Sequence, residues 1–122
     1  MSDKKSYRDL LVWGKAVDLT VEVYKLVKML PKEEIYALSS QIRRAVVSIP
    51  SNIAEGQSRN SRKEFIQFLS IAKGSKSELE TQLYICEKIG YVTKKDLDKT
   101  MGLAEEVGKM LNSLIKTLTT KN

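Results

Sequence analysis

The chain has no histidine, a single cysteine and two prolines among its 122 residues. Without histidine it lacks the commonest general base and the commonest metal ligand, and so the Ser-His and Cys-His nucleophile pairs. The carboxylate-bridged di-iron chemistry of some helical bundles is excluded too, because it needs Glu-x-x-His on two helices. A lone Cys86 cannot close an internal disulfide, which fits a reducing setting. No glycine-rich phosphate loop is present, since Gly56 and Gly74 each stand alone. Glu78 and Glu80 are two apart, so on a helix they do not face each other. No apolar run approaches the roughly 18–20 residues of a membrane span. Met1 to Arg8 are polar and charged, without a signal-peptide core. These absences point to a cytoplasmic, non-enzymatic protein with no cofactor, no metal site and no membrane partner.

Few breakers in a chain of this length mean long elements. Aromatic residues make up 7% of the sequence, which is poor in the residues that favour sheets. The pattern predicts an all-α fold: an antiparallel up-down-up-down four-helix bundle in one domain, residues 1–122. The first helix is expected over about 7–30, with Val12, Ala16, Leu19, Val23, Leu26 and Leu30 at alternating steps of four and three. Beside that seam lies a second apolar row of Trp13, Val17, Tyr24 and Val27. Its width suggests either a face that packs against a second copy or half-exposed boundary residues. Pro31 closes this helix.

The second helix is expected over 33–56, with Ile35, Leu38, Ile42, Ala45 or Val46, Ile49 and Ile53 inward and Gly56 as its stop. Pro50 sits inside it and predicts a kink rather than a break, because Ile49 and Ile53 keep the phase. A capping box at Ser61 and Glu64 opens the third helix, 61–89, which Gly90 ends. Gly74, between Ala72 and Ser75, predicts a close helix contact, since an interior glycine costs about 1 kcal/mol against alanine. A weaker box at Thr93 and Asp96 opens the fourth helix, 94–119.

Two polar features stand out. Arg44, Ser48, Ser51 and Glu55 share one helical stripe. It is either a packing surface, with Arg43 or Arg44 paired to Glu78 or Glu80, or a binding surface. The second feature is charge. The net charge is +6. The expected topology gathers Lys4, Lys5, Arg8, Arg59, Arg62, Lys63, Lys116 and Lys121 at one end, against Asp3, Asp9, Glu55 and Glu64. Eight cations against four anions leave about +4 of the total there. This end is either a site for RNA or DNA phosphates, strengthened if several copies present it together, or a solvated cap that aids solubility.

Several runs resemble a known family. They are Leu11-Val12-Trp13 with Ala16, then Leu30-Pro31-Lys32-Glu33-Glu34, then Gln41, Arg43, Arg44 and Ala45. The most specific is Ser48-Ile49-Pro50-Ser51-Asn52-Ile53-Ala54-Glu55-Gly56, followed by Ala72, Gly74, Ser75, Glu78 and Glu80. The chain resembles the four-helix-bundle proteins encoded in intervening sequences of bacterial large-subunit ribosomal RNA genes, from about Tyr7 to Leu118. Ala37 departs from the glycine expected there. The resemblance implies a homo-oligomer, often a ring-like homopentamer. It also suggests kinship with the accessory proteins of diversity-generating retroelements, basic barrels that engage a reverse transcriptase and nucleic acid. RNA or DNA is therefore one expected partner, and a protein docked on the bundle is the alternative.

Overall fold

The computed structural model describes residues 6–120. Four long helices carry the fold: α1 (Leu11–Val27), α2 (Leu38–Ser58), α3 (Arg62–Ile89) and α4 (Lys94–Thr120). Among the described residues there is no strand. α1 packs on α2 and α4, and α3 packs on the same two, while the diagonal pairs do not approach each other. Lys15 meets Glu106 and Lys99 meets Glu22, so numbers rise along α1 as they fall along α4. The Ser48–Ser75 contact and the approach of Gly56 to Phe68 give the same opposed sense for α2 and α3.

The helix ends differ from the sequence expectation where local caps compete. Ser6 and Asp9 close a complete capping box around a 3-10 turn, Tyr7–Asp9. Its bonds satisfy the backbone locally, Leu10 is extended, and α1 therefore starts at Leu11 rather than Tyr7. At the other end Met29 and Leu30 bond three residues back, to Leu26 and Val27. The last turn tightens before Pro31, and α1 ends at Val27 rather than Leu30. Pro31 leads into a second 3-10 turn, Lys32–Glu34, so α2 starts at Leu38, not at residue 33. Ile35 consequently leaves the core row and is 42% exposed, while Ser39 is buried.

α2 also runs past Gly56 to Ser58. Gly56 is not the helix stop. It is buried, and a Cβ there would lie 2.7 Å from Phe68 Cβ. The close contact expected at Gly74 is absent: Gly74 is exposed, with nothing within 4 Å of where its Cβ would stand. The close mid-length approach of α2 and α3 is made by Ser75, buried and 2.8 Å from Ser48, rather than by Gly74, and Gly56 gives a second close approach nearer the turn.

At α3, the Ser61 hydroxyl accepts the Glu64 N–H at 3.1 Å, but the Glu64 carboxylate turns to Arg59, so only half of that box forms. The Thr93–Asp96 box is complete, at 2.8 and 3.1 Å. Gly90 adopts φ 99° and its N–H closes α3 on Cys86 and Glu87, the left-handed cap that glycine supplies without steric cost.

The seam residues Ala16, Leu19, Val23, Ile42, Val46, Ile49, Ile53, Leu69, Leu79, Val107 and Leu111 are fully buried. Their spacing on four separate helices turns one face of each inward, and these faces meet as the core. The helix runs unbroken through Pro50, whose ring is buried. Proline has no N–H for the Val46 carbonyl. Thr20 of α1 faces that carbonyl: its hydroxyl lies 2.8 Å from Ala16 O and 3.4 Å from Val46 O. Thr20→Val should lower stability by about 1 kcal/mol in urea denaturation. In a Pro50→Ala background the restored amide N–H takes the Val46 carbonyl, and the same change should cost less. Equal costs in both backgrounds would break the link.

Candidate nucleic-acid interface

The basic end is assembled by the start of α1, the α2–α3 turn and the end of α4. Arg62 and Lys63 lie on the first turn of α3, beside Leu118 and Thr119 of α4. Lys63 and Lys116 are exposed, and the Arg8 guanidinium lies 5.9 Å from the Tyr7 ring. Lys4, Lys5 and Lys121 lie outside the described residues. Leu10 and Leu11 of the first segment border Met110, Leu114 and Thr117 of α4, which brings those two termini together.

Arg59 differs from the other cations. It caps α2, and its guanidinium reaches Glu55 at 2.7 Å and Glu64 at 3.3 Å. It also lies 5.0 Å above the Phe68 ring. Two carboxylates and an aromatic face hold it as a clasp across the α2–α3 turn. Its charge is locally balanced, so it contributes less to an outward field than the sequence count implied.

The polar stripe resolves into individual contacts. Ser48 meets Ser75 of α3 at 2.8 Å, and the Asn52 amide donates to the Ser48 carbonyl at 2.7 Å and hydroxyl at 2.8 Å. Of the four stripe residues, Ser48 is the one that packs between helices. The ion pairs expected for Arg43 and Arg44 do not form. Arg43 donates to the Ile35 carbonyl at 3.4 Å, Glu80 takes Lys76 at 3.0 Å, and Glu78 accepts from Gln82 at 3.3 Å. Arg44 and Glu78 instead line one surface cleft with Tyr36 and Ser40. Ser51 is exposed, as is Glu55 beside Arg59.

On α1, Trp13 is half-buried with its ring 5.2 Å from that of Tyr7, edge to face. Tyr24 is 43% exposed and Val21 49%, so part of the wide apolar face stays uncovered in one chain.

Cys86 is fully buried, and burial, helped by the charge of Glu34, pushes its thiol up. That holds it protonated, the state opposite to a nucleophilic thiolate. Among the described residues no three His, Cys, Asp or Glu side chains group as a metal site. No helix among them is long and apolar enough to cross a membrane.

Two features escaped the sequence reading. One is the bond from the Tyr91 hydroxyl to Glu34, at 2.6 Å, between residues 57 apart. The other is a groove between α3 and α4 that gathers Lys73, Lys76 and Lys109. Gly102 and Gly108, two glycines inside a strongly patterned helix, are the sequence signal for it.

A family model described as 23S rRNA-intervening sequence protein matches residues 8–113. No curated protein matches the chain. Among solved structures, a protein from Bacteroides thetaiotaomicron is similar, described as of unknown function and from the S23 ribosomal protein family. The two are 32% identical, with a TM-score of 0.80 over 87% of this chain and 96% of that one.

Proposed function

The chain belongs to the 23S rRNA-intervening sequence protein family, and from that premise we propose that it is a non-enzymatic homo-oligomer that associates with nucleic acid through its basic end. The observation that carries this reading is the meeting of Arg62 and Lys63 with the end of α4 near Lys116. Lysines and arginines that neutralise phosphates release condensed counterions, so such binding weakens steeply with salt. A closed assembly, a pentamer being the form the family resemblance suggests, multiplies a weak patch into an avid one. Its support is the uncovered apolar surface, Val21, Tyr24 and Ile71 among it.

The test is fluorescence anisotropy with labelled RNA and DNA oligonucleotides between about 50 and 200 mM salt. Light scattering on the same samples gives the assembly mass. Arg62→Glu, Lys63→Glu and Lys116→Glu together should lower affinity at least about tenfold at the low-salt end. Arg59 is left intact, because removing its clasp would confuse folding with binding. No binding of either nucleic acid by the unaltered chain at low salt would refute the reading.

A protein partner is the second reading. Leu11 is 78% exposed beside an apolar hollow lined by Leu10, Met110 and Leu114. Exposed leucine over such a hollow suits a docked helix or second copy better than a phosphate. If it is right, Leu11→Ser changes the mass by light scattering or abolishes a protein interaction, and leaves nucleic-acid affinity unchanged.

A further inference from the structure

We infer that the groove between α3 and α4 is a track for the phosphate backbone of a nucleic-acid strand, running inward from the basic end. This rests on the nucleic-acid reading above and gives it a path across the molecule.

Two hollows lie along this helix pair. The outer one, about 500 Å³, is bordered by Arg62, Lys63 and Ile66 of α3 and Leu118 and Thr119 of α4. The inner one, about 450 Å³, is bordered by Lys73, Lys76 and Glu80 of α3 and Gly102, Gly108 and Lys109 of α4. Glycine opens the inner hollow. Gly102 is exposed, with nothing within 4 Å of its missing Cβ. At Gly108 the space of a side chain is filled instead by Lys76, whose Cδ, Cε and Nζ stand 3.0–3.1 Å from a Cβ placed there. The lysine stem thus lies flat across α4, and Glu80 holds its ammonium at 3.0 Å.

The charge along the track is one-sided. Arg62, Lys63, Lys73, Lys76 and Lys109 face Glu80 and Glu105, five cations to two carboxylates. The balance of +3 is half of the net +6 of the chain. Among the described residues, Lys63, Lys73 and Lys109 form no ion pair. On α4, Glu105, Lys109, Asn112, Lys116 and Thr119 follow at steps of four and three, so Lys116 continues the row between the hollows. From Lys63 to Lys76 the helix rises about 20 Å, enough for several successive phosphates.

The lining also limits what is read. It holds no aromatic ring on which a base could stack, and its cations are mainly lysines, which act on phosphate as point charges. The track therefore recognises the backbone rather than base sequence.

The experiment uses the full chain and a labelled oligouridine, with affinity measured across a salt series. Lys73→Gln with Lys109→Gln removes two contacts. The slope of log affinity against log salt should fall by about 1.4, and affinity near 0.1 M salt by about 25-fold. Lys94→Gln with Lys95→Gln removes the same charge at the start of α4, outside the groove, and should keep the slope. Gly102→Leu fills the groove without changing charge, and should weaken binding while the helix content stays constant by circular dichroism. An unaltered slope in the Lys73 and Lys109 variant, with the unaltered chain still binding, would overturn the track and leave the basic end standing. Equal displacement of the RNA by polyglutamate, charge for charge, would assign the groove to an acidic protein segment and overturn it as well. Absence of any binding by the unaltered chain fails the broader reading instead.

Discussion

Gly56→Ala lowers the stability of this bundle by about 2 kcal/mol, seen as a fall of roughly 8 °C in melting temperature. Elsewhere in a helix the same substitution helps, because alanine loses less backbone freedom than glycine, by about 1 kcal/mol. The local geometry reverses the sign. A Cβ at residue 56 would stand 2.7 Å from Phe68 Cβ, 3.0 Å from Phe65 Cδ1 and 3.4 Å from the Phe65 carbonyl. Phe68 Cβ is fixed to the α3 backbone and cannot swing away. α3 must then back off where Arg59 clasps Glu55 and Glu64, and the contact loosens along its length. Gly74→Ala is the internal control. Its added methyl meets nothing in one chain, and it should raise stability by up to about 1 kcal/mol. Thermal melts of the two variants side by side decide the matter, and a Gly56→Ala melt at or above that of the unaltered protein would contradict the close contact.

Glu34→Ala releases both connections at the end of the bundle away from the basic patch. The Glu34 carboxylate accepts the Leu38 N–H at 3.2 Å, at the start of α2, where Ala37 offers no capping side chain. Loss of such a cap alone costs about 1 kcal/mol. The same carboxylate accepts the Tyr91 hydroxyl at 2.6 Å, tying the α1–α2 connection to the α3–α4 connection. That bond, then partial burial, then the carboxylate charge push the Tyr91 phenol from 10.0 up to about 12. A raised value means that the proton is held more tightly in the folded chain. The stabilisation is therefore complete below pH 10.0 and is lost as pH rises through about 12. Alkaline titration followed by ultraviolet absorbance checks it. The Tyr91 phase should appear near pH 12. Tyr91→Phe should remove that phase, and Glu34→Gln should bring it down towards 10.0. A titration unchanged by Glu34→Gln would mean that the two groups do not meet in solution.

Much of this molecule was legible in its sequence, and the reason is periodicity. Four apolar stripes at helical spacing, separated by Pro31, by the Ser61 region and by Gly90, leave little choice but a four-helix bundle, and Leu19, Ile49, Leu79 and Leu111 are all fully buried. The basic residues could be grouped at one end because a bundle with short connections brings alternate ends together. The chemistry excluded by the missing histidine was equally a matter of composition.

Tertiary structure decided what depends on which side chain arrives opposite which. Gly56 and Gly74 are alike in sequence, yet one meets Phe68 and the other meets solvent, because only packing places a neighbour. Arg59 counted with the outward cations until the α2–α3 turn set it between two carboxylates. Glu34 and Tyr91 are 57 residues apart and no local pattern links them. The α3–α4 groove arises where Gly102 and Gly108 of one helix come alongside lysines of another, a juxtaposition that exists only after the chain has folded.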